Sequence, residues 1–441
     1  MEDVAVHYLY QPNIVIELIV LAIILLSVVG PERMTAVTAA VMLLRPNERF
    51  HCFISSYPIV VFCTMFMALI FFGNKDSHGK QLKCTIPLLL FIAIIIFQTI
   101  LFRRHQFINN MLVISPGLLL YFAIISFSTN TKGAKLLSCV VLISCFLICA
   151  EALYYHYSEP VGSVLYNFFH GFSLGRPDLA RLQAWGQWGN ANETAFIACV
   201  GSINATFLCV QFKQKLYYAV TAVLIPIFVL VVYLTGSRAG LATFVIFFLA
   251  LIFLIKFNFS KLIIMLFLGA VVVFSSSFAP ERPDSKGSTE ERLDLRYGGI
   301  QVFKAYPLIG VGFQNLQNEL GGMVAHNTFV QAFAETGLIG ACFLIYYLYK
   351  VGLSLYQVLC SHKNNRSPTT NVAVVVGLYL SSLFYFFWGN QLLSLLFYLI
   401  FAQVHSWLQL IEKDRLARVS THSTPAGQLK CEVVPIIATN I

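Results

Sequence analysis

The residue types in this chain that can do chemistry are mainly arginines, joined by asparagines, a histidine and two acids. Arg238 is the most informative. It stands in Tyr233-Leu-Thr-Gly-Ser-Arg-Ala-Gly-Leu241, between two long apolar runs. A guanidinium keeps its charge at physiological pH and presents a fork of donors that matches phosphate oxygens. Placing it near hydrocarbon costs roughly 2.5–3.5 kcal/mol at a helix centre on insertion scales, and less near an end. Two readings follow. Either the side chain snorkels to the headgroups, or it holds an anionic ligand such as a lipid diphosphate. Gly236 and Gly240 on either side favour a backbone closely approached by a ligand.

Further candidates flank it. Upstream, Arg176 and Arg181 precede Trp185-Gly-Gln-Trp-Gly-Asn190-Ala-Asn192-Glu193. The tryptophans can anchor at a lipid interface or stack on sugar rings. Downstream, Ser288 followed by Glu291 reads as a capping box. A helix from there to about Ala305 would set Leu293, Tyr297, Ile300 and Phe303 on one stripe, as in a helix lying on a membrane surface. Arg292 and Arg296, one turn apart, either point at one place or belong to an exposed helix face. Pro307-Leu-Ile-Gly-Val-Gly-Phe313 follows, and His326-Asn327 stand at the entrance to the next apolar run. A histidine with an unperturbed pKa of about 6.5 is a natural proton acceptor near neutral pH, and is also a common structural hydrogen-bonding group. Glu193 and Glu335 sit at or inside the starts of apolar runs, where an acid is either functional or paired structurally with an outward arginine. The chain has no HExxH and no evident carboxylate pair spaced for glycoside hydrolysis.

The composition dictates what must position these groups. Of 441 residues, 58% are hydrophobic and 11% charged. A soluble domain averages about 25% charged residues, so a soluble enzyme is excluded and the bilayer is the solvent. A spanning helix needs roughly 20 apolar residues. Runs such as 216–235 and 239–257 are apolar all round, unlike the alternating strands of a transmembrane barrel. The net charge of +9 comes mostly from lysines and arginines in short loops, as membrane anchoring requires. No basic stretch interleaved with aromatics suggests nucleic-acid binding. The 11 cysteines include no CxxC pair and read as small buried apolar residues. The beginning of the chain carries neither a basic n-region nor a small-residue cleavage site, so the first span is expected to stay in the protein.

Apolar runs predict an all-α, polytopic membrane protein with about twelve spans. They fall near 14–30, 52–73, 84–101, 108–128, 134–154, 193–212, 216–235, 239–257, 261–279, 328–349, 371–388 and 391–411. Residues 33–44 are too short to span and read as a half-buried or tilted helix. A single helical domain, 1–411, would precede a tail, 412–441. Loops carrying Lys75, Lys80, Lys83, Lys132, Lys135, Lys213, Lys215, Lys256, Lys261, Lys363 and Arg366 are assigned to the cytoplasm, together with that tail. Alternation then exports two long loops, about 155–192 and 280–327, and the turn at Arg238; Arg103 and Arg104 also land outside. The spans show no matching Gly or Pro interruptions in two halves, which counts against a transporter built from inverted repeats.

Four motifs in register resemble the signature of the O-antigen ligase and polymerase superfamily. They are Gly189-Asn-Ala-Asn-Glu-Thr-Ala195, Thr235-Gly-Ser-Arg-Ala-Gly-Leu241, Arg292 ahead of Pro307-Leu-Ile-Gly-Val-Gly312, and His326-Asn327 with Glu335-Thr-Gly-Leu-Ile-Gly340. The resemblance implies a GT-C-like fold in a bacterial inner membrane, with the active site facing the periplasm. It implies transfer of a glycan from undecaprenyl diphosphate, without metal or cofactor, to a lipid A–core acceptor or, in a polymerase, to another lipid-linked glycan. It also implies roles. Arg238 and a first-loop arginine, Arg181 or Arg176, would hold the diphosphate, and His326 would activate the acceptor hydroxyl. Arg292, Arg296, Asn190, Asn192, Asn327 and Glu335 would line the donor site. The chain departs from the family pattern where Arg296 replaces an aromatic residue one turn after Arg292, and where Arg181 lies farther than usual from the Gly-Asn element. A lipid-linked glycan transporter is the rival from another functional class; it would need charges along the bilayer midplane.

Overall fold

A computed structural model describes residues 30–44, 78–102, 107–158, 190–254, 285–323, 325, 327–363, 369–388 and 394–422. These residues are almost entirely helical, with no strand among them. In chain order the helices are α1 (Pro31–Leu44), α2 (His78–Phe102), α3 (Phe107–Phe127), α4 (Thr131–Ser158), α5 (Ala191–Phe212) and α6 (Lys215–Leu234). They continue with α7 (Arg238–Leu254), α8 (Ser285–Ala305), the single turn α9 (Leu316–Glu319), α10 (Thr328–Lys363), α11 (Thr369–Trp388) and α12 (Leu395–His422).

Among the described residues, six helices are long and apolar enough to cross a membrane: α4, α5, α6, α10, α11 and α12. Shorter apolar stretches lie in α2, α3 and α7. The chain is therefore a polytopic all-α membrane protein. Of the expected spans, those near 14–30, 52–73 and 261–279 fall outside the described residues. The 14 residues of α1 rise about 21 Å at 1.5 Å each, short of a ~30 Å hydrocarbon core. That helix is half-buried against α3 and α4. Helix α12 runs on to His422, into the segment expected to be tail.

Burial follows composition. Helix α5 is apolar on all sides and is buried on nearly all of them. In α6 Phe228, Val231 and Val232 are buried, whereas Leu216, Tyr218, Val223 and Leu230 are exposed, as in a helix with one lipid-facing side. Aromatic stacks fill the centre: Phe207 on Trp407 with ring centroids 3.8 Å apart, and Phe196 on Tyr385 at 3.6 Å. Where no water can compete, buried polar side chains pair across helices. Gln403 Nε2 donates to Asn204 Oδ1 at 3.0 Å, and Ser406 Oγ to the Ser128 carbonyl at 2.5 Å.

Polar contacts define the two ends of the bundle. At one, Lys135 Nζ donates to Gln214 Oε1 (3.5 Å) and Gln211 Nε2 to Asp414 Oδ2 (2.9 Å). Asn371 donates to Gln211, and Lys413 Nζ to the Thr129 carbonyl (3.4 Å). The loops expected to be cytoplasmic around 130 and 213, and the end of α12, thus share one basic end. At the other, Ser237 bonds Asn192, and the Phe196–Tyr385 stack joins the start of α5 to the end of α11. Phe387 then meets Phe329 at 5.9 Å between ring centroids. The starts of α5, α7 and α10 therefore lie together, opposite the basic end.

Candidate active site

The turn before α7 is built by its own hydroxyls. Thr235 Oγ1 donates to the Val232 carbonyl (2.7 Å) and accepts from the Ser237 amide (3.2 Å). Gly236 turns the chain with φ +56, a conformation open to glycine at little cost. Ser237 Oγ then accepts from the Gly240 amide at 3.0 Å, as an N-cap does. It also donates to Asn192 Oδ1 at 2.6 Å. Arg238 is thereby the first helical residue, exposed, beside the first-turn amides and the positive end of the helix dipole. Gly240 is required by packing rather than by a ligand: Ala195 of α5 occupies the space its side chain would fill.

The asparagines hold backbone. Asn190 Oδ1 accepts from the Asn192 amide (2.9 Å) and caps α5. Asn327 Oδ1 accepts from the amides of Phe329 and Val330, both at 3.0 Å, and caps α10. These contacts use each carbonyl oxygen for structure.

Helix α8 runs alongside the beginning of α10. Gly299 packs on Val330, and Phe303 on Phe333 with ring centroids 5.3 Å apart. Numbering rises together on both helices, so one turn earlier Arg296 lies about level with the Asn327 cap. Arg292, Arg296, Gly299 and Phe303 recur at helical spacing and share the inward face. Burial lowers both guanidiniums from the usual arginine range, and the Arg292 charge lowers Arg296 further. The expected apolar stripe divides: Leu293, Tyr297 and Ile300 are exposed, whereas Phe303, about 80° away at 100° per residue, turns inward. The helix begins at Ser285, one turn before the expected capping box at Ser288.

The two glycine motifs interlock. Helix α10 breaks at Gly337, whose φ 66 and ψ −170 lie in a region almost confined to glycine. The freed carbonyls of Ala334 and Glu335 accept from the amides of Val311 (2.9 Å) and Gly312 (2.8 Å). Beyond the break, Leu338 and Ile339 donate to the carbonyls of Pro307 (2.8 Å) and Leu308 (3.3 Å). A methyl group at Gly337 would overlap the Leu308 carbonyl, and one at Gly310 the Glu335 backbone. Glu335 itself is fully buried. Its Oε1 accepts from Gln331 Nε2 at 3.0 Å, while the amides of Gln314 and Leu316 face the carboxylate at longer range. It anchors the loop beneath the site.

Of the residues singled out from sequence, Arg238, Asn190, Asn192 and Asn327 gather at one end, and Arg292 and Arg296 share the face of α8 that packs on α10. Glu335 lies two turns deeper. His326, Arg176 and Arg181 fall outside the described residues. Sequence reasoning missed Ser237 as the pin between α5 and α7, although a serine just before an apolar helix is a cap signal. It also missed Gln98 of α2, which donates to the Ile309 carbonyl.

Residues 220–345 match the family model described as O-antigen ligase. That stretch is similar to the O-antigen ligase family. The superfamily resemblance is borne out, and three of its four motifs lie within the matched residues. The matched stretch holds Arg238, Arg292, Arg296, His326, Asn327 and Glu335, while Arg176, Arg181, Asn190 and Asn192 precede it. None of the curated proteins matches the chain.

Proposed function

We propose that the chain is a GT-C-type glycosyltransferase of a bacterial inner membrane. It moves a glycan from undecaprenyl diphosphate to a lipid A–core acceptor at the periplasmic face. One observation carries this reading within the family match. Helices α5, α7 and α10 start at the end away from the lysine-rich loops, and α8 carries two arginines on the face that packs on α10. Lysine-rich loops mark the cytoplasmic side, which favours a periplasmic site.

In this mechanism the acceptor hydroxyl oxygen attacks the anomeric carbon. His326 takes the hydroxyl proton, and the glycosyl–oxygen bond breaks with its electron pair leaving on the diphosphate. Arg238 and a first-loop arginine, Arg181 or Arg176, hold that leaving group, with Arg292 and Arg296 adding positive field. Preorganised cations in a partly dry site stabilise charge as it grows on the leaving oxygen, which is the work a metal would otherwise do. A base within hydrogen-bond reach completes the transfer. Direct displacement inverts the anomeric centre.

The test is deletion of the gene followed by analysis of lipopolysaccharide and lipid-linked glycan. Ligase function predicts bare core with accumulated lipid-linked polymer. Core carrying single repeats would instead identify a polymerase. An unchanged ladder would overturn both.

A further inference from the structure

The turn after α8 was assigned by sequence to an aqueous loop, yet its surroundings are those of a membrane-immersed element. The carbonyls of Tyr306, Pro307, Leu308 and Ile309 are all used: by the Gly310 amide, the Leu338 amide, the Ile339 amide and the Gln98 side chain. A backbone carbonyl at membrane depth needs a partner within the protein, and these four have one. The side chains go the other way. Leu308 is 63% exposed and Ile309 41%, with Tyr306 exposed beside them.

Two neighbouring helices act as depth gauges. In α2, Gln98 lies three residues before Leu101, the last residue of that helix's apolar stretch. Ile100 and Leu101 are themselves 51% and 56% exposed, so outward-facing apolar surface continues about one turn above the Ile309 carbonyl. In α10, the exposed Leu338 and Ile339 pair directly with the turn. They begin the outward stripe that continues through Ile345 and Tyr349 of a membrane-spanning candidate. The apolar surface of the turn is continuous with the lipid-facing surface on both sides.

We propose that residues 306–309 form a re-entrant turn inside the leaflet on the site side, with Leu308 and Ile309 against lipid acyl chains. The chain leaving α8 then dips into the membrane rather than standing above it.

The test uses the full chain in vesicles of phosphatidylethanolamine and phosphatidylglycerol. The photoreactive residue p-benzoylphenylalanine replaces Leu308, Ile309 or Tyr306 singly. Tyr349 is the lipid-facing control and Glu319 the exposed control on α9. Lipid adducts measured by mass spectrometry on the 308 and 309 variants, at yields within about twofold of the 349 variant, are expected. Yields at 308 and 309 as low as at 319, with 349 labelled, would overturn the proposal. The 306 variant substitutes for either position that does not give monodisperse protein. Because this readout needs no glycan transfer, its failure is distinguishable from failure of the proposed activity.

Discussion

Ser237 Oγ donates to Asn192 Oδ1 at 2.6 Å while accepting from the Gly240 amide at 3.0 Å. One hydroxyl thus caps α7 and pins it to the first turn of α5. Ser237→Ala removes a cap, worth about 0.5–2 kcal/mol, and leaves a buried Asn192 acceptor unsatisfied, worth about 1–3 kcal/mol more. The apparent Tm in detergent should fall clearly. Ser237→Thr should restore most of the loss. Equal stability of Ala and Thr variants would show that the bond contributes nothing.

Arg238 stands exposed at the positive end of α7, so its substitution should spare the fold and damage transfer. Arg238→Ala is expected to lower glycan attachment by roughly 10²–10³-fold or more, as loss of a leaving-group stabiliser does. Lysine carries the charge but not the paired donors, and Arg238→Lys should recover little. Unchanged lipopolysaccharide from the alanine variant, at normal membrane levels, would remove Arg238 from the site.

Arg292 and Arg296 are both lowered by burial, and Arg292 lowers Arg296 further. The sign matters: charged neighbours in a half-buried face destabilise the fold wherever both are protonated, which includes neutral pH. A bound anion relieves that repulsion. Inorganic pyrophosphate should therefore raise the Tm of the wild type, up to about 2.7 kcal/mol of stabilisation at a hundredfold excess over Kd. Arg296→Ala should shrink that shift and slightly raise the ligand-free Tm. A pyrophosphate shift unaffected by the substitution would place the anion elsewhere.

Gly337→Ala must adopt a backbone region that costs about 1–3 kcal/mol for residues other than glycine, and its methyl group meets the Leu308 carbonyl. It should reduce both folded yield and transfer. Gly321→Ala is an instructive control, since that glycine also has positive φ but nothing within 4 Å of a would-be Cβ. Comparable loss at both positions would mean that backbone strain alone, not the seam with the turn, carries the effect.

Much of the bundle was legible because a span needs only a long apolar run, which tolerates error in register. Nine expected spans coincide with helices, and Asn327 read naturally as a residue before a helix. What the sequence hid is contact between distant segments. The run from 328 to 349 gave no sign of a break, because glycine within an apolar span is common. The break exists only because 307–312 arrives to take the freed carbonyls. Gln98 and Ile309 are 211 residues apart, and nothing local to either announces the other. The arginine face of α8 was half-legible: the spacing of Arg292 and Arg296 was plain, but their direction depended on which way Phe303 turned.

The mutual seating of 307–312 and 334–339 bears on how such chains can diversify. Four backbone hydrogen bonds stitch the segments regardless of side-chain identity, yet two glycines must sit opposite specific carbonyls for the seam to close. A chimera that imports the segment before α10 from a relative without also importing the matching stretch of the following helix would set foreign geometry against a fixed partner. Swaps intended to change acceptor preference should treat the two as one inheritable cassette.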